Sequence, residues 1–137
     1  MPKTIIISLP VTDLAASVRF YSALGFVHSP QWSDDTAAHF VWSETISVML
    51  LTQAKWRIFS DRPIAPSTSS EVALGLSLDS RAEVDAMNAA AAANGGVADV
   101  NPVQDHGFMY GRDLMDPDGH IWAPMWMDPA AMAAAGA

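Results

Sequence analysis

The chain is 137 residues long, half of them hydrophobic and 16% charged, which suits one domain with a sizeable core and excludes a disordered chain. It has no cysteine, so disulfide frameworks, thiolate metal sites and cysteine nucleophiles are excluded together. Its 7 Lys and Arg against 15 Asp and Glu give a net charge of −8, a field that repels a phosphate backbone and suits a cationic or neutral small molecule.

The opening residues hold one Lys and a short apolar run that ends at Pro10, unlike a secretory signal. No stretch approaches the roughly 20 apolar residues of a membrane span. A cytoplasmic protein with no membrane or nucleic-acid partner is expected.

Ile5, Ile7, Leu9 and Val11 alternate with Ile6, Ser8 and Pro10, the period of a strand with one apolar face. Thr12-Asp13 caps a helix predicted over Leu14 to Leu24, with Leu14, Val18, Tyr21 and Leu24 on one side and Gly25 at its end. Phe26 and Val27 begin an extended stretch, and Ser33-Asp34-Asp35 marks a turn. Thr36 to Trp42 and Ile46 to Leu51 read as strands joined tightly through Ser43-Glu44. Between Gln53 and Phe59, Trp56 and Phe59 stand three apart, the spacing of a helical turn. Arg62 to Ser70, rich in Pro, Ser and Thr, reads as a linker.

The second half repeats the order. Val72, Leu74, Leu76 and Leu78 alternate with Ala73, Gly75 and Ser77, and Ser80 with Glu83 forms a capping box for an Ala-rich helix that stops at Asn94-Gly95-Gly96. Val97 to Val100, Met109 to Met115 and His120 to Met127 are predicted strands. The last two are joined by Asp116-Pro117-Asp118-Gly119, a type I turn with Gly at the positive-φ position. Asp128 and Pro129 start a helical tail that runs to Ala137. The pattern is α+β: two βαβββ modules, about 4–62 and 71–128, in a single domain spanning 1–137 with an Ala-rich tail over 129–137.

If Gly119 forms a one-residue bulge, Ile121, Met125, Gly111, Asp113 and Met109 face the same way as Ala123, while Trp122, Trp126, Phe108, Tyr110 and Arg112 face the helix or a partner. A two-residue loop would instead turn Tyr110 and Arg112 into the opposite face. The bulge is the favoured geometry. Asp113 then stands in a methionine-rich wall, with solvent contact its expected environment. Asp105 and His106 are neighbours on an extended chain and point to opposite faces, so a loop suits them better than an acid–base pair.

Three stretches carry a family likeness: Ile7-Ser-Leu-Pro-Val-Thr-Asp13 with Val18-Arg-Phe-Tyr-Ser-Ala-Leu-Gly-Phe26, then Leu74-Gly-Leu-Ser-Leu-Asp79, then Asp116-Pro-Asp-Gly-His-Ile-Trp122. Together they resemble the vicinal oxygen chelate superfamily, which contains glyoxalases, bleomycin-resistance proteins and extradiol dioxygenases. The resemblance implies a curved mixed sheet around a central cavity, a homodimer, and a divalent metal held from four strands. The four matching positions here are Ile6, Leu50, Ala73 and Ala123. None has a donor atom, so neither the family metal nor any other cofactor is expected.

The chain therefore resembles metal-free relatives that bind and sequester a small molecule. The expected ligand is apolar or aromatic, with a cationic group suited to the acidic chain. Its predicted contacts are Ile6, Ser8, His39, Leu50, Ala73, Met109, Asp113, Ile121, Ala123 and Met125. The alternative is a glyoxalase-type lyase or a dioxygenase that uses a relocated metal or metal-free acid–base chemistry, with His39 and Asp113 as candidates. The four histidines, His28, His39, His106 and His120, show no i, i+2 or i, i+4 pair from which to build a relocated site with Glu44. Trp32, Trp42, Trp56, Trp122 and Trp126 are expected in core and dimer packing, with a stacking slot for a planar ligand as the other use.

Overall fold

The alternating apolar run forms β1, Ile5–Val11, and Asp13 caps α1, Leu14–Leu24, by accepting from the Ala16 N–H at 3.0 Å. Gly25 ends the helix at φ +104°, a conformation that costs glycine little. The buried stripe of α1 is Ser17, Phe20, Tyr21 and Leu24 rather than one through Leu14 and Val18, which are only half-buried. Tyr21 packs edge-on against Phe20 and Phe26 and lies 6.0 Å from the Phe40 ring centroid. The computed structural model that gives this account describes residues 2–134, so Ala135 to Ala137 of the expected tail lie outside the described residues.

After α1 come β2, Val27–His28, a short 3-10 turn at Pro30–Trp32, then β3, Ala37–Ser43, and β4, Ile46–Thr52. The sheet order is β1-β4-β3-β2, with β1 and β4 parallel and the other pairs antiparallel. Asp34 sets the entry to β3, its Oδ1 accepting from the Thr36 N–H, the Thr36 hydroxyl and the Ala37 N–H. The predicted helical turn is a short helix, α2, Gln53–Phe59, capped by the Thr52 hydroxyl.

The chain divides between Ser69 and Ser70 into two compact units. In the second, β5, Ala73–Ser77, leads through the capping box to α3, Arg81–Ala93. Ser80 Oγ accepts from the Glu83 N–H, and the Glu83 carboxylate reaches back to the Asp79 N–H. The strand expected at Val97–Val100 is reduced to one bridge, Val97 with Met115. Asp99 there takes φ +50°, stabilised by its N–H on the Asn88 side chain and its carboxylate on Arg112.

The rest of the second sheet is β6, Gln104–Asp105, β7, Met109–Gly111, β8, Leu114–Met115, and β9, Ile121–Met127. Its order is β5-β9-β7-β6, with β8 also paired to β9. The predicted Met109–Met115 strand is thus interrupted at Arg112-Asp113, where the Asp113 carbonyl accepts from the Val100 N–H. A final helix, α4, Pro129–Ala134, begins with the Asp128 carboxylate on the Ala130 N–H. Each unit is therefore α+β: the first runs βαβββ, the second has the same order with its third strand split into β7 and β8, and each of the two sheets lies within one unit.

Candidate functional site

Strand parity decides which residues reach the open face of each sheet. In the first sheet, register puts Leu9, Leu50 and Ala38 in one row and Ile7, Val48 and Phe40 in the next, all on the α1 side. The rows between them face the other way: Ile6, Ser47 and Val41; Ser8, Met49 and His39; Pro10, Leu51 and Ala37. Leu50 is therefore core, 0% exposed, and the sequence expectation that it shares a surface with Ile6 is corrected. The run Val48-Met49-Leu50-Leu51 is apolar on both faces, so no alternation marks the right parity. Met49 and Leu51 occupy the positions on the open face beside Ile6 and Ser8.

On that open face a cavity of about 500 Å³ lies between the sheet and α2, lined by Ile6, Ser8, Ala37, Met49, Leu51, Lys55, Trp56, Phe59 and Ser60. The size is that of a small-molecule site. Its walls are almost wholly hydrocarbon and aromatic, and its polar residues are Ser8, Ser60 and Lys55. The Lys55 Nζ lies 5.8 Å from the Phe59 ring centroid. The charge at the cavity is thus positive, opposite to the ligand preference suggested by the overall −8. The only mark of Lys55 in the sequence is its i, i+4 spacing to Phe59 across a helical turn.

His39 is half-buried on the same face, opposite Met49, and is not among the lining residues. Its backbone is pinned, the N–H on the Ser33 hydroxyl and the carbonyl on the Ser29 N–H. Its Nδ1 is buried with no hydrogen-bond partner. His28, by contrast, packs on Phe40 at 5.0 Å on the core side.

In the second sheet the hairpin closes as a bulged turn. Gly119 takes φ +92° and its N–H reaches the Asp116 carbonyl, while Asp116 N–H bonds the His120 carbonyl. The buried Asp116 carboxylate accepts from the Asp118 and His120 N–H groups at 2.9 and 2.8 Å. Register then pairs Met115 with Ile121, Gly111 with Met125 and Met109 with Met127. Trp122 is 1% exposed in the core, so Ile121, Ala123 and Met125 share the opposite face with Met109, and Ala73 joins them beside Ile121. Asp113 does not stand in solvent alone: its Oδ2 accepts from the Asn101 side chain at 2.8 Å. Ala73, Ile121 and Asn101 border a more polar hollow of about 400 Å³ with Glu71.

Tyr110 and Arg112 lie on the helix side, where both bond the Asp85 carboxylate of α3, so the alternative loop geometry is ruled out. Arg112 also grips Asp99 through two nitrogens, which raises its own pKa and lowers that of Asp99. Asp85 is lowered by the Tyr110 hydroxyl and then Arg112, and Tyr110 is raised in return. Arg81 chelates Asp105 at 3.0 and 2.8 Å, bonds the Gly107 carbonyl, and covers the rings of Tyr110 and Trp126. That grip holds the Asp105 carboxyl at about 2. With its acidic groups paired, this network braces β6 and β7 against α3.

Of the expected metal positions, Ile6, Ala73 and Ala123 stand on open sheet faces and Leu50 lies in the core, and none has a donor atom, so they do not fit a metal ion. Among the described residues no group of three His, Asp or Glu side chains is placed to hold one elsewhere. No described helix is long and apolar enough to cross a membrane. The remaining tryptophans divide by place: Trp42 packs on Phe26, Trp56 lines the cavity and Trp32 is exposed.

The sequence model of the Glyoxalase/Bleomycin resistance protein/Dioxygenase superfamily matches residues 5–123. No curated protein matches the chain. Among solved structures, a hypothetical protein from S. aureus is similar at 26% identity, covering 92% of this chain and 95% of that one, with a TM-score of 0.75. A glyoxalase-related enzyme from Fulvimarina pelagi is 20% identical over 92% of this chain and 88% of its own, TM-score 0.77. A fosfomycin resistance protein from Mesorhizobium loti is 12% identical over 97% and 98%, TM-score 0.67. The last two likenesses concern the fold.

Proposed function

This chain belongs to the Glyoxalase/Bleomycin resistance protein/Dioxygenase superfamily, and we propose that it is a metal-independent, cytoplasmic homodimer that binds a small apolar or aromatic molecule. The observation that carries the reading is the cavity of about 500 Å³ walled by Ile6, Ala37, Met49, Leu51, Trp56 and Phe59. Burying an apolar ligand there releases water from both surfaces, and Trp56 and Phe59 offer rings for a planar body. A divalent cation among such side chains would lose its hydration with nothing in return. Ala73, Met109, Ile121, Ala123 and Met125 give the second unit an apolar surface of similar character, with methionines that adapt to shape.

Saturation-transfer NMR with 2-naphthamide tests the reading. Saturable binding that survives exhaustive dialysis against chelator, and is lost in Ala37→Trp, is expected. No saturable binding, or binding that disappears with the chelated metal, overturns it. Ala123→Trp asks the same of the second surface, and sedimentation at twice the chain mass tests the dimer. A second reading, a glyoxalase-type lyase or dioxygenase working metal-free, draws on the buried Nδ1 of His39, a ring nitrogen without a hydrogen-bond partner that a substrate group would satisfy. A bound compound converted to a product by the native protein and not by His39→Asn would favour it.

A further inference from the structure

We infer that the cavity of the first unit selects an amphipathic anion: an apolar body on the hydrocarbon wall, with one carboxylate held by Lys55. The inference rests on the binding role above and adds the ligand's charge.

Of the seven Lys and Arg side chains, Arg81 and Arg112 close on aspartates at 2.6 to 3.0 Å, and what sets Lys55 apart from the rest is its place at the cavity. Lys55 has no carboxylate within ion-pair distance among the described residues, although acidic side chains outnumber basic ones by 15 to 7. Its field reaches Asp34 only as the weakest influence on that carboxyl, whose Oδ1 is already taken by Thr36 and Ala37. Lys55 instead lines the cavity, with its Nζ 5.8 Å from the ring centroid of Phe59, another lining residue.

In a wall so poor in polar groups, an unpaired cation sets the preferred charge of whatever enters. A carboxylate gains a charge-assisted hydrogen bond from it, a neutral molecule gains none, and a second cation meets like charge. The Ser8 and Ser60 hydroxyls border the same cavity and can donate to the head group. The Ser60 oxygen already accepts from the Arg62 N–H, which leaves its O–H as the donor.

Calorimetric titration of the full chain with three near-isosteric probes, 2-naphthoate, 2-naphthamide and 2-naphthylmethylammonium, decides the matter. The carboxylate is expected to bind about tenfold tighter than the amide, the size of one charge-assisted hydrogen bond at a half-buried site. The ammonium binds more weakly than the amide, and added salt shrinks the carboxylate's advantage. Lys55→Met, which keeps an apolar stem, abolishes the carboxylate's advantage and brings the affinity ratio of carboxylate to amide to about one. Lys55→Arg retains the preference. Thermal melts confirm that each variant folds, and the three-probe comparison on the unaltered protein stands without them. Equal affinity for carboxylate and amide, or a preference that survives Lys55→Met, overturns the inference alone. Failure of all three probes to bind overturns the binding role with it.

Discussion

Replacing Leu50 with alanine removes three carbons from a side chain that is 0% exposed between Leu9, Ala38 and the helix above them. At about 0.8 kcal/mol per buried carbon, the lost transfer energy is roughly 2.4 kcal/mol. Incomplete collapse of the hole brings the total to about 3 kcal/mol, within the span seen for buried leucines. For a chain of this size the melting point should fall by about 12 °C. Met49→Ala, one residue earlier, strips the open face, where half of the side chain's surroundings are missing, and should cost about 1 kcal/mol. The two variants therefore separate stability from binding. Leu50→Ala lowers Tm and leaves 2-naphthamide affinity intact at temperatures where the protein is folded; Met49→Ala lowers Tm by only about 4 °C and weakens the ligand. Differential scanning calorimetry with calorimetric titration on both reads this directly. A larger stability loss at Met49 than at Leu50, or loss of binding at Leu50 without loss of Tm, would show the strand facing the other way.

The remaining predictions concern the second unit. Asp116→Ala strands the Asp118 and His120 N–H groups and should cost about 2 kcal/mol in chemical denaturation, with Asp116→Asn recovering part of it. Gly119→Ala forces an L-residue to φ +92° and should cost about 1 kcal/mol more than a surface alanine substitution elsewhere. The Asp105 carboxyl should titrate by NMR near 2, below its ordinary 3.8, because of Arg81 first and the Gly107 N–H second. Since the folded value is depressed, the stabilisation is complete above the unfolded value and fades as pH falls through the folded one. Arg81→Gln should move that midpoint back up; an unchanged midpoint would mean the chelate does not form in solution.

Where the sequence marks an element with punctuation, the structure agrees. Asp13 and Gly25 bracket α1, Ser80 and Glu83 open α3, and Gly119 closes the last hairpin in the bulged form that fixes the faces of Tyr110 and Ala123. Misreadings cluster where side-chain type carries no directional signal. Val48 to Leu51 are apolar on both faces, so Leu50 and Met49 are indistinguishable without the register. The two-residue strand at Gln104–Asp105 is polar and too short to show a period. Val97 to Val100 looks like a strand until Asp99 turns to positive φ, a choice made by Asn88 and Arg112 from elsewhere in the unit. The cavity is not legible in the sequence because it depends on α2 packing against β4, and a seven-residue helix announces neither its direction nor its cover.

In β1, β3 and β4, neighbouring residues answer to different masters. Val11, Phe40 and Val48 keep the chain folded, while Ile6, Ala37 and Met49, interleaved with them, meet whatever arrives from outside. Such interleaving lets drift rewrite recognition without touching cohesion. A library randomised at Ile6, Ser8, Ala37 and Met49 should therefore stay largely soluble while its preferences diverge, which makes this scaffold a practical starting point for selecting new binders.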